Sequence, residues 1–156
     1  DTSKRIIHRL KYSDKTQIAD SAAKFMLKKI GQHIDKIDFI IPVPMHRKKM
    51  RVRFYNQAAL IANQLGRISG KPCLSNGLIK IKYHSPQTGL SRILRESNIK
   101  NTFSVSKKHQ KLISNKNILL VDDVYTTGST VNECSRVLKK AQVQMITVIT
   151  LVKVAS

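Results

Sequence analysis

The chain has 156 residues, which is the length of one domain and enough to bury a hydrophobic core. It carries 29 Lys and Arg residues against 9 Asp and Glu residues, so its formal net charge is +20. Such a charge favours a polyanionic partner, with nucleic acid as the first candidate and an anionic membrane surface as the second. A basic bias of the whole source proteome is the alternative explanation.

Membrane and export signals are not found in the printed sequence. No apolar run approaches the length of a transmembrane helix, and no secretory signal is visible. We therefore expect no membrane span and a cytoplasmic location. The two cysteines, Cys73 and Cys134, lack the paired spacing of a zinc site or a disulfide framework, so we expect both to be buried, reduced thiols.

Two helices are predicted before the first strand. Residues 5–12 mix basic and apolar side chains and predict a short helix. A longer helix is predicted from Gln17 to Gln32, with Thr16 as its N-cap and Gly31 near its end. Helical spacing predicts that its buried stripe consists of Ile18, Ala22, Phe25, Met26 and Ile30.

A basic segment follows the first predicted strand. Residues 38–41 form an apolar strand that ends at Pro42, and five of the seven residues from Arg47 to Arg53 are Lys or Arg. We call residues 47–53 the basic turn. Because it leaves the carboxyl end of a strand, its cations are expected to meet pyrophosphate or a nucleic-acid backbone, the alternative being a solvated loop. Phe54 and Tyr55 offer stacking faces, although aromatic residues at a helix start more often belong to the core.

The middle of the chain predicts a helix, a strand and a second helix. Asn56 is the predicted cap of a helix that Gly70 and Pro72 close, and its buried side chains are predicted to be Ala58, Ala59, Leu60, Ile61, Ala62 and Leu65. The alternation over residues 78–83 predicts a strand with Ile79, Ile81 and Tyr83 inward and its lysines in water. A helix is predicted from Ser91, with Arg92 and Arg95 on one face.

The stretch from Ile118 to Thr130 is the most informative part of the sequence. Residues 118–121 are all apolar and predict a buried parallel strand, and two acids, Asp122 and Asp123, follow at its carboxyl end. We call them the acid pair. Residues 126–130, the phosphate loop, precede a predicted helix, and their small size lets backbone N–H groups close on an anion at the helix start. The loop consists of Thr126, Thr127, Gly128, Ser129 and Thr130.

These elements predict an α/β fold with a mainly parallel sheet flanked by helices, and residues 143–154 are its last strand.

Acids after an apolar strand also occur in Walker B segments. A Walker A motif is missing, however, because the only Gly-Lys pair, Gly70-Lys71, is followed by Pro72. A sugar phosphate suits the combination of carboxylates and an anion-binding loop.

The ordered string from the apolar strand to Thr130 resembles the phosphoribosyl-pyrophosphate (PRPP) loop of type I phosphoribosyltransferases. The resemblance implies a type I phosphoribosyltransferase-like (Rossmann-like) domain over residues 1–156. It also implies that Asp122 and Asp123 hold the ribose hydroxyls, that the phosphate loop holds the 5′-phosphate, and that Mg²⁺ arrives with PRPP near the acid pair.

Four stretches together resemble the ComF (ComFC) family of bacterial competence proteins. They are residues 8–12, residues 42–46 running on to Asn56-Gln57, residues 87–103, and the PRPP loop. Two departures stand out. The family usually has glycine where Phe54 stands, so a positive φ becomes unfavourable there. An N-terminal four-cysteine zinc module, common in the family, is not among these residues, and zinc is expected only with that module.

The ComF resemblance implies natural DNA transformation, with single-stranded DNA and PRPP as ligands and a competence helicase or another transformation protein as a partner. The pyrophosphate contacts are expected from Arg47, Lys48, Arg92 and Arg95. The DNA contacts are expected from Lys48, Lys49, Arg51 and Arg53.

Two alternatives stay open at this stage. One is an active phosphoribosyltransferase with an unknown acceptor. Purine-salvage relatives carry an Asp base where Thr126 stands, which argues against that substrate class. The other is a pure interaction module in which the PRPP site is a sensor or a relic.

Overall fold

The computed structural model describes residues 15–82 and 98–154. The helix predicted over residues 5–12, the inward position of Tyr83, and the helix from Ser91 with Arg92 and Arg95 lie outside the described residues. Within the described ranges, every helix is too short or too polar to cross a bilayer.

Helices and short strands alternate along the chain. In chain order the elements are α1 (Lys15–Ile30), a 3-10 helix (Gly31–Lys36), β1 (Phe39–Pro42), α2 (Arg47–Arg53), α3 (Gln57–Ser69), β2 (Leu78–Lys80), β3 (Phe103–Val105), α4 (Gln110–Ile113), β4 (Asn117–Tyr125), α5 (Ser129–Lys140) and β5 (Met145–Lys153).

The central sheet is parallel and has the order β1-β4-β5. Cys73 extends it by one residue through a parallel bridge to Ile40. The connection from β4 to β5 runs through α5, which packs on one face of the sheet, as a parallel crossover requires. The predicted α/β fold with a mainly parallel sheet is therefore confirmed.

Both faces of the sheet are covered, which explains why β4 is apolar without alternation. Leu119 and Val121 point toward α1 and α3 and pack in one core cluster. Ile118 and Leu120 point the other way and pack with α5 in a second cluster. The shared strand β4 thus stands at the centre of both cores, and all four of these side chains are fully buried.

A second, two-stranded sheet covers part of the α5 side. β2 and β3 pair antiparallel, and β3 packs on α5. A buried carboxylate fixes this contact: Glu133 on α5 accepts a hydrogen bond from the Asn101 backbone N–H at 2.7 Å and two from Arg136 at 2.6 and 2.8 Å. The hydrogen bonds from Arg136 lower the pKa of Glu133, so the group stays ionised.

Two predictions of inward-facing side chains were wrong. In β2 the buried residue is Leu78, whereas Ile79 is 42% exposed and Ile81 is also exposed. Alternation defines two faces but not which of them meets the core, and here Leu78 faces Phe103 and Ile41 in the second cluster. In α1 the stripe runs through Ala19, Ala22, Ala23, Met26 and Ile30, and Phe25 is exposed.

The segment between β1 and α3 also differs from its prediction. The basic turn forms the short helix α2, which ends at Phe54 with φ +61°. The expectation that Phe54 would avoid a positive φ was therefore wrong. Asn56 precedes α3 as predicted, but it directs its amide Nδ2 to the carbonyl of Val43 at 2.9 Å and so ties α3 to the Pro-Val-Pro turn.

The observed burial of β2 leads to a test of its register. Leu78→Ala removes a fully buried side chain and is expected to lower the free energy of unfolding by about 2–4 kcal/mol. Ile79→Ala removes a largely solvated one, and the expected loss is below about 1 kcal/mol. Urea unfolding of both variants measures the difference. Equal losses in the two variants would contradict the observed orientation of β2. A larger loss for Ile79→Ala would support the orientation predicted from the sequence.

Candidate functional site

The acid pair lies inside a strand and not beyond its end. The apolar run predicted a strand over residues 118–121, but β4 continues through Asp122 and Asp123 to Tyr125. Backbone hydrogen bonds hold this tip on both sides: the Val43 N–H donates to Val121 O at 2.8 Å, and the Val154 N–H donates to Tyr125 O at 2.9 Å. The two carboxyl groups therefore stand on a rigid support.

The two acids are not equivalent. Asp122 is only 7% exposed, whereas Asp123 is half-buried. Burial, followed by the negative charge of Asp123 and a hydrogen bond between the two side chains, raises the pKa of Asp122 to about 7. A backbone hydrogen bond from the Asp123 N–H to Asp122 Oδ1 at 2.9 Å opposes this shift. A neighbouring cation or hydroxyl donor would stabilise the ionised pair.

The phosphate loop makes a tight turn between β4 and α5. Gly128 has φ +81° and precedes the first residue of α5, Ser129. A Cβ atom at Gly128 would overlap the hydroxyl of Tyr125, so both the conformation and the space require glycine. The hydroxyl groups of Thr127 and Ser129 are 2.7 Å apart and hydrogen bond to each other. The five loop residues, which are consecutive in the sequence, lie at the start of α5 in the structure.

The basic turn follows the strand next to β4 and leaves it at the edge of the sheet that carries the acid pair. β1 and β4 are parallel neighbours in register, with Pro42 opposite Val121, so their carboxyl ends lie at one edge of the sheet. His46 caps α2 by accepting a hydrogen bond from the Lys48 N–H at Nδ1, at 3.2 Å. Lys49 is half-buried, and the remaining α2 cations are exposed, namely Arg47, Lys48, Arg51 and Arg53.

Lys80 is a candidate site residue that the sequence analysis missed. The alternation in β2 had placed it in water, but it is half-buried, and its Nζ lies 5.2 Å from the centroid of the buried Phe103 ring. Burial, then the like charge of Lys49, lowers the pKa of Lys80. Burial and the charges of Lys48 and Lys80 lower the pKa of His46 in turn. These cations converge on one region and would be stabilised by an anion. No local sequence signal marks this placement, because Lys80 lies opposite Phe103 only through the pairing of β2 with β3.

Cys134 lies between the cation and the acids. Cys134 is fully buried on α5. Burial, followed by the charge of Asp122, raises the pKa of its thiol, and the charge of Lys80 opposes this shift. Both charged groups therefore act on one side chain just behind the phosphate loop. Cys134 is a buried free thiol as predicted, whereas Cys73 is only partly buried.

A divalent cation fits the acid pair only together with a ligand. Among residues 15–82 and 98–154, no group of three or more His, Cys, Asp and Glu side chains could hold a metal ion by itself. Mg²⁺ commonly binds through one or two carboxylates plus substrate phosphates and retained waters. Asp122 and Asp123 supply that number of carboxylates, and the raised pKa of Asp122 marks a place where positive charge is stabilising. Arg92 and Arg95 lie outside the described residues.

Comparison with known proteins places this chain in a family. The phosphoribosyl transferase domain family matches residues 9–156. Competence protein F of Haemophilus influenzae is 42% identical over 109 residues, which are 70% of this chain and 47% of that protein. DNA utilization protein YhgH of Salmonella typhimurium is 30% identical over 138 residues, covering 85% of this chain and 59% of the relative.

A further relative and two solved structures agree with this assignment. Competence protein ComFC of Bacillus subtilis is 26% identical over 98% of this chain and 60% of its own length. The chain thus spans about half the length of the curated relatives it matches. Purine phosphoribosyltransferase from Pyrococcus horikoshii superimposes with a TM-score of 0.53 at 20% identity, covering 86% of this chain and 72% of that one. The allosteric regulatory enzyme of purine biosynthesis gives a TM-score of 0.56 at 20% identity over 85% and 25% of the two chains.

The solved structures agree with the observed parallel sheet flanked by helices. The chain belongs to the phosphoribosyl transferase domain family and, within it, to the ComF family.

Proposed function

We propose that this protein acts in natural DNA transformation by binding PRPP with Mg²⁺ and single-stranded DNA along one edge of its sheet. The observation that carries the proposal is the shared register of β1 and β4, since it brings the segment that leads into α2 to the same edge of the sheet as the acid pair. The names of the curated relatives, competence protein and DNA utilization protein, support the same role.

PRPP matches the site group by group. Its 5′-phosphate would bind the backbone N–H groups and hydroxyls of the phosphate loop, helped by the partial positive charge at the start of α5. Its ribose hydroxyls would donate to the acid pair, with Asp123 as the accessible carboxylate and Asp122 as its buried neighbour. Mg²⁺ would be held by the same carboxylates and by pyrophosphate oxygens, and it supplies charge neutralisation there.

The pyrophosphate would lie on the cationic side of the site. Arg47 and Lys48 are exposed at the start of α2, and Lys80 adds a half-buried ammonium that the sequence analysis had not included. Arg92 and Arg95 complete the set proposed from the sequence. Converging like charges repel one another without a ligand, so the anionic pyrophosphate group of PRPP would stabilise this region.

Binding fits the loop better than transfer to a purine does. A general base at the acceptor would need to be placed near C1′ of the ribose. At the position where purine-salvage relatives carry an Asp, this chain has the exposed hydroxyl of Thr126. A hydroxyl of ordinary acidity cannot take that proton, so transferase activity toward another acceptor remains the alternative function.

The first prediction concerns the acid pair. The double variant Asp122→Asn with Asp123→Asn removes the acceptors of the ribose hydroxyls and is expected to weaken PRPP binding roughly 100-fold. Calorimetric titration in the presence of Mg²⁺ measures the change. Asp35→Asn, an exposed carboxyl on the 3-10 helix, is the matched control and should bind as the wild type does. Full PRPP affinity in the double variant would remove the carboxylates from the site.

The second prediction follows from the raised pKa of Asp122. With a folded pKa of about 7 against an ordinary value of 3.8, the acid favours folding in its protonated form, and this advantage disappears as the pH rises through 7. Asp122→Asn cannot ionise, so it should exceed the wild type in stability by on the order of 2 kcal/mol at about pH 8, and by little at about pH 4. Thermal unfolding at both pH values is the measurement, with Asp35→Asn as control. A constant difference across this range would contradict it.

The third prediction concerns DNA binding by α2. Replacing Lys48, Lys49, Arg51 and Arg53 by Gln should reduce the slope of log affinity against log salt for single-stranded DNA by roughly three. The matched control replaces four exposed cations of α1 and the 3-10 helix, Lys24, Lys28, Lys29 and Lys36. Filter binding over a salt series measures both slopes. Equal slopes in the two variants would mean that α2 is not the DNA-binding surface.

A further inference from the structure

Phe54 has an unusual combination of conformation and exposure. Its side chain is 82% exposed, more than any other large hydrophobic residue in the described ranges. Its backbone has φ +61°, in the left-handed region, and its N–H closes α2 by donating to Met50 O at 2.7 Å. A positive φ is strained for a residue with a bulky side chain, and glycine avoids that strain.

Within residues 15–82 and 98–154, neither core cluster includes the Phe54 ring. The turn would form with glycine, which the ComF family usually carries here, and the exposed ring adds no core packing. Phe25 provides a contrast, because it is 50% exposed but lies under the ammonium of Lys29, which is 5.6 Å from its ring centroid. A residue that is both strained and solvated is explained more readily by a ligand than by stability.

The neighbours of Phe54 indicate what that ligand is. Arg51 and Arg53 are exposed on the last turn of α2, and Val52 between them is 78% exposed. Cations beside a solvated aromatic ring are the combination by which proteins bind single-stranded nucleic acid, since the cations contact phosphates and the ring stacks on an unpaired base. A base inside a duplex is already stacked and offers no free face.

We propose that Phe54 stacks on an unpaired base of DNA whose backbone is held by Arg51 and Arg53. This inference rests on the proposed DNA-binding function and makes it specific for single strands. The ring would select single-stranded over duplex DNA, whereas the flanking cations bind both forms. Phe54, in place of the usual glycine, thereby adds a stacking contact that the cations of α2 do not supply.

The test compares Phe54→Ala with Phe25→Ala, which removes the other exposed phenylalanine far from α2. Phe54→Ala should weaken binding to a fluorescein-labelled oligothymidine by about tenfold, leave the salt slope unchanged, and leave duplex affinity unchanged. Phe25→Ala should match the wild type on both substrates. Phe54→Trp should keep the affinity, and its fluorescence should be quenched when the oligothymidine binds.

A glycine variant separates stacking from misfolding. Phe54→Gly removes both the ring and the backbone strain, so its melting temperature should rise while its affinity for oligothymidine falls. An abasic oligonucleotide should bind the wild type and Phe54→Ala equally.

Each contrary outcome identifies a different failure. If the wild type binds oligothymidine without any salt dependence, the proposed DNA-binding function fails. If the wild type binds and Phe54→Ala binds equally well, the stacking inference alone is overturned. An equal loss on single-stranded and duplex DNA would also overturn it, because an unpaired base would then not be involved.

Discussion

The parallel pairing of β1 with β4 is the interaction on which the rest of the structure depends. It sets Pro42 opposite Val121, and the Val43 N–H continues the ladder to Val121 O at 2.8 Å. The chain leaves β1 toward α2 and leaves β4 toward α5 at the same edge. One run of backbone hydrogen bonds therefore brings the segment leading into α2, the acid pair and the phosphate loop to the same edge of the sheet. Asn56 strengthens this edge by holding the start of α3 to Val43.

Opposite charges at this edge are kept apart by the fold. Burial and the charge of Asp123 raise the pKa of Asp122 on β4. Burial and the charge of Lys49 lower the pKa of Lys80 on β2. Both pKa shifts lower the free energy of unfolding of the unliganded protein near neutral pH, because each group is held where its charged form is unfavourable. A ligand carrying both hydroxyls and phosphates would relieve the two at once. Cys134, between them, is shielded by burial and stays a thiol.

The sequence predicted the strands better than the side chains on their surfaces. Apolar runs such as residues 118–121 can only be buried on both faces, so β1, β4 and the parallel sheet were predictable. The orientation of β2 was not, because the more apolar face, with Ile79 and Ile81, is the exposed one, and Leu78 is buried through a contact with Phe103 that is distant in the chain. In α1, the approach of α3 favours alanine at the interface and leaves Phe25 outside.

In the candidate site, too, the local features were predictable from the sequence and the features that depend on distant contacts were not. Motif spacing predicted the acid pair and the phosphate loop as one unit, since both are local in the chain. Lys80 could not be assigned to the site, because its placement depends on the pairing of β2 with β3. The left-handed turn at Phe54 was also beyond prediction, since local preference opposes it and the closure of α2 overrides that preference.

The anchor between Glu133 and Asn101 has a consequence for how this fold can diverge. The Ile81 N–H donates to Thr102 O at 2.8 Å, so the chain on each side of residues 83–97 is fixed on the same two-stranded sheet, and Glu133 secures one side to α5. Insertions or deletions between these two fixed points would leave the register of both sheets unchanged. Related proteins could therefore remodel this stretch for new ligands while the framework around the acid pair stayed constant.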